Sequence, residues 1–388
     1  MKLILDGVFV QLTSTGIARV WSSILPRLAN IRNLEITLLN RGGSPQVPGI
    51  RQFDFPSYSV NTNTADDSLL VDRVCIDLGA DVFMSTYYTT PLSIPSVLLV
   101  HDMIPEVLGF NLNQRPWQEK QIAVSFASYY ACVSAKTRAD LINFYPAANN
   151  RAIVTHCGVE RTIFYPRTES EVFSFKCKYG ISRPYYITVG SRGQPQGYRN
   201  SSRFFRALRK FRDFDIDVVC IGGEPTVDPE FLRGLPQNVS VRHIILDDDD
   251  LARAYCGAES LVFPSLYEGF GLPVIEAMSC GCPVIATKFG SLEEVAGNAT
   301  IAISGHNDDE IVGGIRLVRD PSIRSRLKEA GFRQATTFDW DRMVSGIFEL
   351  LCKAKDEATS PAFAEFRQKW KRLRSIQAQV DTFPLAKS

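Results

Sequence analysis

The chain has no apolar run approaching the ~20 residues a helix needs to cross a membrane, so no transmembrane span is expected. Neither charge is in excess. Lys and Arg number 43 against 42 Asp and Glu, a formal net charge of +1, which removes the electrostatic case for a nucleic-acid partner. No two cysteines stand at Cys-x2-Cys spacing, and their count is odd, at nine. Cys280 and Cys282 are separated by a single glycine, a poor spacing for a zinc knuckle. The scatter of the other seven fits reduced small hydrophobes in a cytosolic protein and argues against a disulfide framework. There is no repeat at solenoid spacing and no low-complexity segment. The opening Met1–Gly7 is too short an apolar run for a signal peptide and reads as a first buried strand ending in a turn.

What is present is ordinary globular composition over 388 residues, about two domains' worth. Strand-like runs alternate with amphipathic helical stretches, the pattern of parallel α/β sheets. Strands are expected at 2–5, 35–39, 81–85, 97–101, 130–134 and 152–155, with helices at 17–30, 66–79, 115–128 and 135–144. A second series follows: strands at 185–189, 216–221, 241–245, 260–263 and 283–286, and helices at 200–212, 249–256, 273–279, 291–296, 308–317 and 321–336. Further helices are expected at 341–357 and about 362–379, around the break Ala358–Pro361. Two doubly wound units thus run in tandem, joined near Phe164–Thr168. Such sheets place ligands outside the carboxyl ends of their strands.

Residues 264–287 carry the strongest signal. Glu268 and Glu276 stand eight positions apart across Gly269-Phe270-Gly271-Leu272. A buried strand precedes them, and a helix with Pro273 in its first turn follows. Glycines permit a tight turn and close approach of a ligand. The free N–H groups and dipole of the helix start favour an anion. A carboxylate at each end of an anion site suits a nucleotide sugar, with hydroxyls on both sides of a diphosphate. The bland alternative is a βα unit with solvated glutamates, which explains neither both glycines nor both carboxylates.

This segment resembles the Glu-x7-Glu signature of the retaining family-4 glycosyltransferases (glycosyl transferases group 1). The resemblance implies a GT-B fold: two Rossmann-like domains facing across a cleft, with a C-terminal helix crossing back to the N-terminal domain. It implies that Glu268 contacts donor-sugar hydroxyls, that Glu276 contacts the ribose, and that the backbone of Gly269, Phe270, Gly271 and Leu272 holds sugar and phosphate oxygens. Gly190–Asn200 resembles the family loop that begins Gly-x-Arg and ends Lys-Asn. By that resemblance Arg192 and Arg199 neutralise the diphosphate. Arg stands here where Lys is usual, and the loop is a few residues longer. Val100-His101-Asp102 resembles the family's His-Asp segment, which places His101 near the transferred sugar; the plain alternative is a satisfied strand-end histidine. Gly16 matches a glycine that lets the N-terminal domain approach the donor, or is a simple helix start, with Arg19 a solvated side chain.

Other segments read as structural. Thr155–Glu160 resembles the family's turn before the linker, with Gly158 supplying the turn. Ser134 is a good N-cap. Asp247–Asp250 could suggest a metal-binding Asp-x-Asp, but acids at a helix start favour the dipole. The backbone of Arg242–Leu246 lies where the family places the nucleotide base. Ala364–Arg374 is the most basic segment and holds a Trp; a packed surface helix is the commoner explanation, and membrane contact is the other.

The expected domains are 1–167 (acceptor), 168–345 (nucleotide-sugar donor) and 346–388 (C-terminal helices, the last packing on the first domain). The expected activity is retaining, metal-independent transfer of a hexose-type sugar from a GDP- or UDP-linked donor to a hydroxyl on a glycan or lipid-linked acceptor. No cofactor is expected. A cytoplasmic place in polysaccharide or lipopolysaccharide biosynthesis, with an option of peripheral attachment at the inner membrane face, completes the reading. The alternatives are a non-catalytic nucleotide-sugar-binding subunit and a sugar-nucleotide 2-epimerase of the same fold.

Overall fold

The computed structural model describes residues 1–9, 16–59, 64–193 and 197–381. Thr13–Thr15 and Gln194–Gln196, which belong to two of the candidate loops, lie outside the described residues.

The chain forms two compact units, Met1–His156 with Trp340–Ser388, and Cys157–Asp339. In the first, β1 (Lys2–Asp6), α1 (Gly16–Ala29), β2 (Glu35–Asn40), β3 (Ile50–Asp54), α2 (Thr64–Asp77) and β4 (Val82–Ser85) give a parallel sheet of order β3-β2-β1-β4. Then β5 (Val97–Val100), α3 (Ile104–Val107), α4 (Arg115–Phe126), β6 (Tyr129–Cys132), α5 (Ala135–Phe144) and β7 (Ala152–Val154) add a parallel sheet of order β5-β6-β7. A parallel bridge from Phe83 to Ser96 sets the two side by side. Ser134 caps α5, accepting the Thr137 N–H at 3.0 Å.

The second unit holds α6 (Glu169–Lys178), β8 (Tyr185–Val189), α7 (Ser201–Lys210), β9 (Ile216–Ile221), α8 (Pro229–Leu232), β10 (Val239–Ile244), α9 (Asp248–Gly257) and β11 (Ser260–Phe263). It continues with α10 (Leu272–Ser279), β12 (Val284–Ala286), α11 (Leu292–Ala296), β13 (Thr300–Ala302), α12 (Asp308–Leu317) and α13 (Pro321–Ala335). Its sheet is wholly parallel, in the order β10-β9-β8-β11-β12-β13. The strand sequence reverses direction between β8 and β11, the place where doubly wound sheets open a crevice. The core under it is apolar: Phe204, Phe205 and Leu208 of α7, and Phe211 just after it, pack with Ile216, Val218 and Ile285.

The chain then returns to the first unit as α14 (Trp340–Glu357) and α15 (Pro361–Asp381). The α14 helix packs on α1 and β6, and α15 packs on α2. The basic α15 buries its Trp: Trp370 lies 5.2 Å from the Phe126 ring and 5.7 Å from that of Phe366. Arg374 is buried beside it, donating to Ser68 Oγ at 2.8 Å. The aromatic side of this helix is therefore packing surface. Among the described residues no helix is long and apolar enough to cross a membrane.

Both expected domain boundaries shift. The first unit's leading segment ends at His156, not 167, because Phe164 is buried against Tyr255 at 6.4 Å and its carbonyl accepts from Ser279 Oγ at 2.6 Å, anchoring 157–167 in the second unit. The return lies at Trp340, because a cut at 345 would divide α14, whose Trp340, Met343 and Val344 are buried. Five elements escaped the sequence reading, among them the single-turn helices α3 and α8. β3 is an edge strand with one buried residue, and β13 is three residues long. α6 starts directly after the supposed join, with its N-cap Thr168 inside it, and its signal was legible. Thr168 and Glu171 form a capping box, each side chain bonding the other's backbone N–H.

Candidate functional site

The site grows from two loops that leave adjacent central strands, β8 and β11. After β11 the backbone turns through Gly271, at φ 103° and ψ 49°, a left-handed conformation open to glycine. A Cβ there would also come 2.8 Å from Leu292. Pro273 then starts α10. Gly269, Phe270 and Leu272 lie along this elbow. Ser291 pins it: its N–H donates to the Glu268 carbonyl at 3.1 Å, and its Oγ lies 3.0 Å from that oxygen and 2.7 Å from the Phe270 carbonyl.

Both glutamates are buried, Glu268 at 8% exposure and Glu276 at 4%. Ser265 Oγ donates to Glu268 Oε1 at 2.8 Å. The Tyr255 hydroxyl of α9 reaches Glu276 Oε2 at 3.4 Å, a long bond. Each carboxylate is therefore aimed by a buried hydroxyl, so neither is an ordinary solvated glutamate.

The loop after β8 brings in Arg199. The Glu268 carboxylate is the largest influence on it and, against burial, raises its pKa above the ordinary value. Gly190, at φ +98°, makes room, since a Cβ at 190 would collide with the Arg199 guanidinium. Asn200 ties the two loops, donating to the Pro264 carbonyl at 3.1 Å and the Gly305 carbonyl at 2.8 Å. The Leu266 N–H adds a bond to the Tyr198 carbonyl at 2.7 Å.

Arg192 is placed differently. It is 4% exposed, and its guanidinium donates to the Gly222 carbonyl at 2.8 Å and to the Glu224 carbonyl. The Glu224 carboxylate in turn accepts the N–H groups of Arg192 at 2.7 Å and Gly193 at 2.9 Å, and the Ser191 hydroxyl. Those bonds outweigh partial burial and hold the Glu224 carboxyl down to about 2. Arg192 thus braces the β8 and β9 loops. Arg199, not Arg192, is the cation set against Glu268.

His101 and Gly16 belong to the first unit. His101 follows β5, and its Nε2 is buried without a hydrogen-bond partner among the described residues. Burial pushes its pKa down to about 4, with Asp102 opposing and Lys120 assisting, so the imidazole is neutral at pH 7. Gly16 opens α1 with nothing within 4 Å of where a Cβ would stand, so packing among the described residues does not require a glycine there. The acidic run caps a helix: Asp247 accepts the Asp250 N–H at 2.8 Å, and Asp250 pairs with Lys178 at 2.6 Å. Among the described residues no group of three potential metal ligands is gathered.

Ser265, Ser291, Tyr255 and Asn200 are the residues the motif reading left without roles. Ser265 and Asn200 lie inside the quoted segments, whereas Tyr255 and Ser291 reach the site only through folding.

Residues 183–319 match the family model described as Glycosyl transferases group 1. This segment is similar to the group 1 glycosyl transferases. The chain is 29% identical over 241 residues to the O-antigen chain mannosyltransferase B of Escherichia coli, a match covering 58% of this chain and 61% of that protein. It is 30% identical over 246 residues to a D-inositol 3-phosphate glycosyltransferase of Salinispora arenicola, covering 57% and 54%. The match thus spans little more than half the length of these relatives. Among solved structures, Anabaena HepE in complex with UDP-glucose superposes with a TM-score of 0.71 at 17% identity, covering 91% of this chain and all of that one. At that identity the likeness is one of fold, the GT-B fold of the group 1 glycosyl transferases.

Proposed function

We propose that the protein is a retaining, metal-independent hexosyltransferase. It moves a hexose-type sugar from a GDP- or UDP-linked donor to a hydroxyl of a glycan or lipid-linked acceptor. The observation that carries this reading is the pair of buried carboxylates, Glu268 and Glu276, flanking a left-handed glycine at a helix start, with Arg199 against the first.

The transition state of such a transfer combines a cationic sugar and an anionic leaving diphosphate. Glu268 holds the ring hydroxyls and stabilises positive charge. Arg199 and the N–H groups of the Gly269–Leu272 elbow serve the leaving diphosphate, where preorganised donors act without reorganisation. Glu276 anchors the ribose. His101, neutral at pH 7, offers its unpartnered Nε2 to a sugar hydroxyl. Gly16 lets the first unit's backbone approach the donor. No protein general base is assigned, and the leaving phosphate takes the acceptor proton. The mannosyltransferase name of the E. coli relative and the UDP-glucose in the Anabaena complex support a sugar-nucleotide donor. The O-antigen wording of the former supports a role in surface-polysaccharide biosynthesis, carried out in the cytoplasm or at the inner face of its membrane.

A second reading, a nucleotide-sugar-binding subunit without turnover, is favoured by one observation: the Arg192 guanidinium is already engaged by the Gly222 and Glu224 carbonyls. A donor-hydrolysis assay with UDP-, GDP- and ADP-sugars, run beside a thermal-shift series with the free nucleotides, separates the two. Turnover abolished in Glu268→Ala and Arg199→Ala supports the transferase. A nucleotide-dependent shift without turnover of any donor supports the binding subunit, and full activity in both variants refutes the assignment.

A further inference from the structure

Two cysteines far apart in sequence meet behind the ribose-side carboxylate. Cys256 lies on α9, next to Tyr255, whose hydroxyl reaches Glu276. Cys280 ends α10, and its N–H donates to the Glu276 carbonyl at 3.1 Å. Cys256 Sγ lies 3.4 Å from the Cys280 carbonyl oxygen. The Arg167 N–H donates to Cys256 Sγ at 3.2 Å. Cys256 is partly exposed, and Cys280 is buried behind it. This is the arrangement of an attacking thiol with a resolving one.

We propose that Cys256 and Cys280 form an oxidant-sensitive dithiol, which a hydroperoxide converts to a disulfide fastening α9 to the end of α10. The Cys256 thiolate attacks a peroxide oxygen; the O–O bond breaks, and the departing hydroxide is protonated to water. Cys280 sulfur then attacks the Cys256 sulfenic acid, the S–S bond forms, and the expelled hydroxide leaves as water with the Cys280 proton. Two thiols are oxidised by two electrons, and one hydrogen peroxide is reduced to two waters.

The surroundings favour the first step. The neighbouring Cys280 side chain lowers the Cys256 thiol pKa below its ordinary value; burial opposes this, and the Arg167 N–H and guanidinium assist. Cys282 stays out of the pair: it is buried, and its Sγ lies by the Pro283 carbonyl at 3.5 Å. The consequence for Glu276 rests on the donor-site reading above. A bond across the base of α10 shifts the helix that presents this carboxylate and weakens nucleoside-diphosphate binding.

The test treats the full-length protein with hydrogen peroxide and reads intact mass, peptide maps and thiol titration. The expected result is a loss of ~2 Da and of two titratable thiols, a crosslink joining the Cys256 and Cys280 peptides, and full reversal by dithiothreitol. Cys256→Ser and Cys280→Ser should each abolish the crosslink. A gain of ~32 Da at Cys256 without crosslink, or Cys280 still titratable after Cys256 is consumed, overturns the dithiol. Calorimetry with UDP and GDP on reduced and oxidised protein should show affinity falling roughly tenfold on oxidation. Unchanged affinity overturns the coupling to Glu276. If the reduced protein binds neither nucleotide, the donor-site reading fails while the crosslink result stands.

Discussion

The two units use the same sheet plan and treat charge at its reversal point in opposite ways. In the first, β1 ends in Asp6, whose carboxylate is closed off. Arg41 grips it with two bonds of 2.6 and 2.7 Å, Thr89 Oγ1 adds a third at 2.7 Å, and the same guanidinium takes Asp67 at 2.7 and 2.8 Å. Arg41 also lies 4.6 Å above the Phe55 ring. In the second, the equivalent loops carry Glu268 and Arg199 on glycine backbone, with the carboxylate aimed by Ser265. One ionic group is a finished internal network; the other is held in place on an elbow whose N–H groups face a helix start. Topology marks where a ligand can bind, and the partners of the charged groups decide which of the two units is built for it.

The largest expected effect tests the closed network. Arg41→Ala leaves the buried Asp6 and the half-buried Asp67 carboxylates without their cation, which should cost about 3–5 kcal/mol in denaturant unfolding. A loss under 1 kcal/mol would break the comparison. On the other side, Glu268→Gln should lower donor turnover by roughly a hundredfold or more, with little change in unfolding midpoint. An inactive variant that is also unfolded would make Glu268 a structural residue like Asp6. Tyr255→Phe removes a single long hydrogen bond to Glu276, so nucleotide affinity should fall by a factor of about 3–10. An unchanged affinity would detach α9 from the site.

Acid should separate the units by pH window. Burial lowers His101 from 6.5 to about 4, so between those values the unfolded chain binds the proton and the folded first unit does not. Stability from this group is complete above pH 6.5 and is lost as the pH falls towards 4. Glu224 is lowered from 4.5 to about 2, so its contribution is complete above pH 4.5 and is lost only as the pH falls towards 2. Unfolding midpoints against pH for His101→Gln and Glu224→Gln should differ from wild type in pH dependence over the upper and the lower window respectively. Overlapping windows would remove the distinction.

Much of this was legible in the sequence where one segment carries a whole feature. The elbow at 268–276 reads correctly because strand, glycines and Pro273 are contiguous. The alternation of apolar runs gives the parallel sheets for the same reason. What escaped depends on partners distant in the chain. Nothing local tells that Arg192 spends its guanidinium on carbonyls some thirty residues later, at Gly222 and Glu224. The Cys256–Cys280 pair is equally invisible, since spacing drew the eye to Cys280 and Cys282. The basic helix packs on the first unit as expected, but nothing in its own segment names Phe126 as the partner of Trp370. The capping box at Thr168 and Glu171 is the exception, a local signal that overlaps the stretch between the two alternating series.

The interrupted layout of the first unit carries a consequence for biosynthesis. Its sheet emerges from the ribosome early, yet α14 and α15, which cover α1, α2 and β6, are translated only after the second unit is complete. During that interval the later unit can close on itself while the earlier one waits with apolar flanks uncovered, so nascent chains stalled before Trp340 should be the species that chaperones capture.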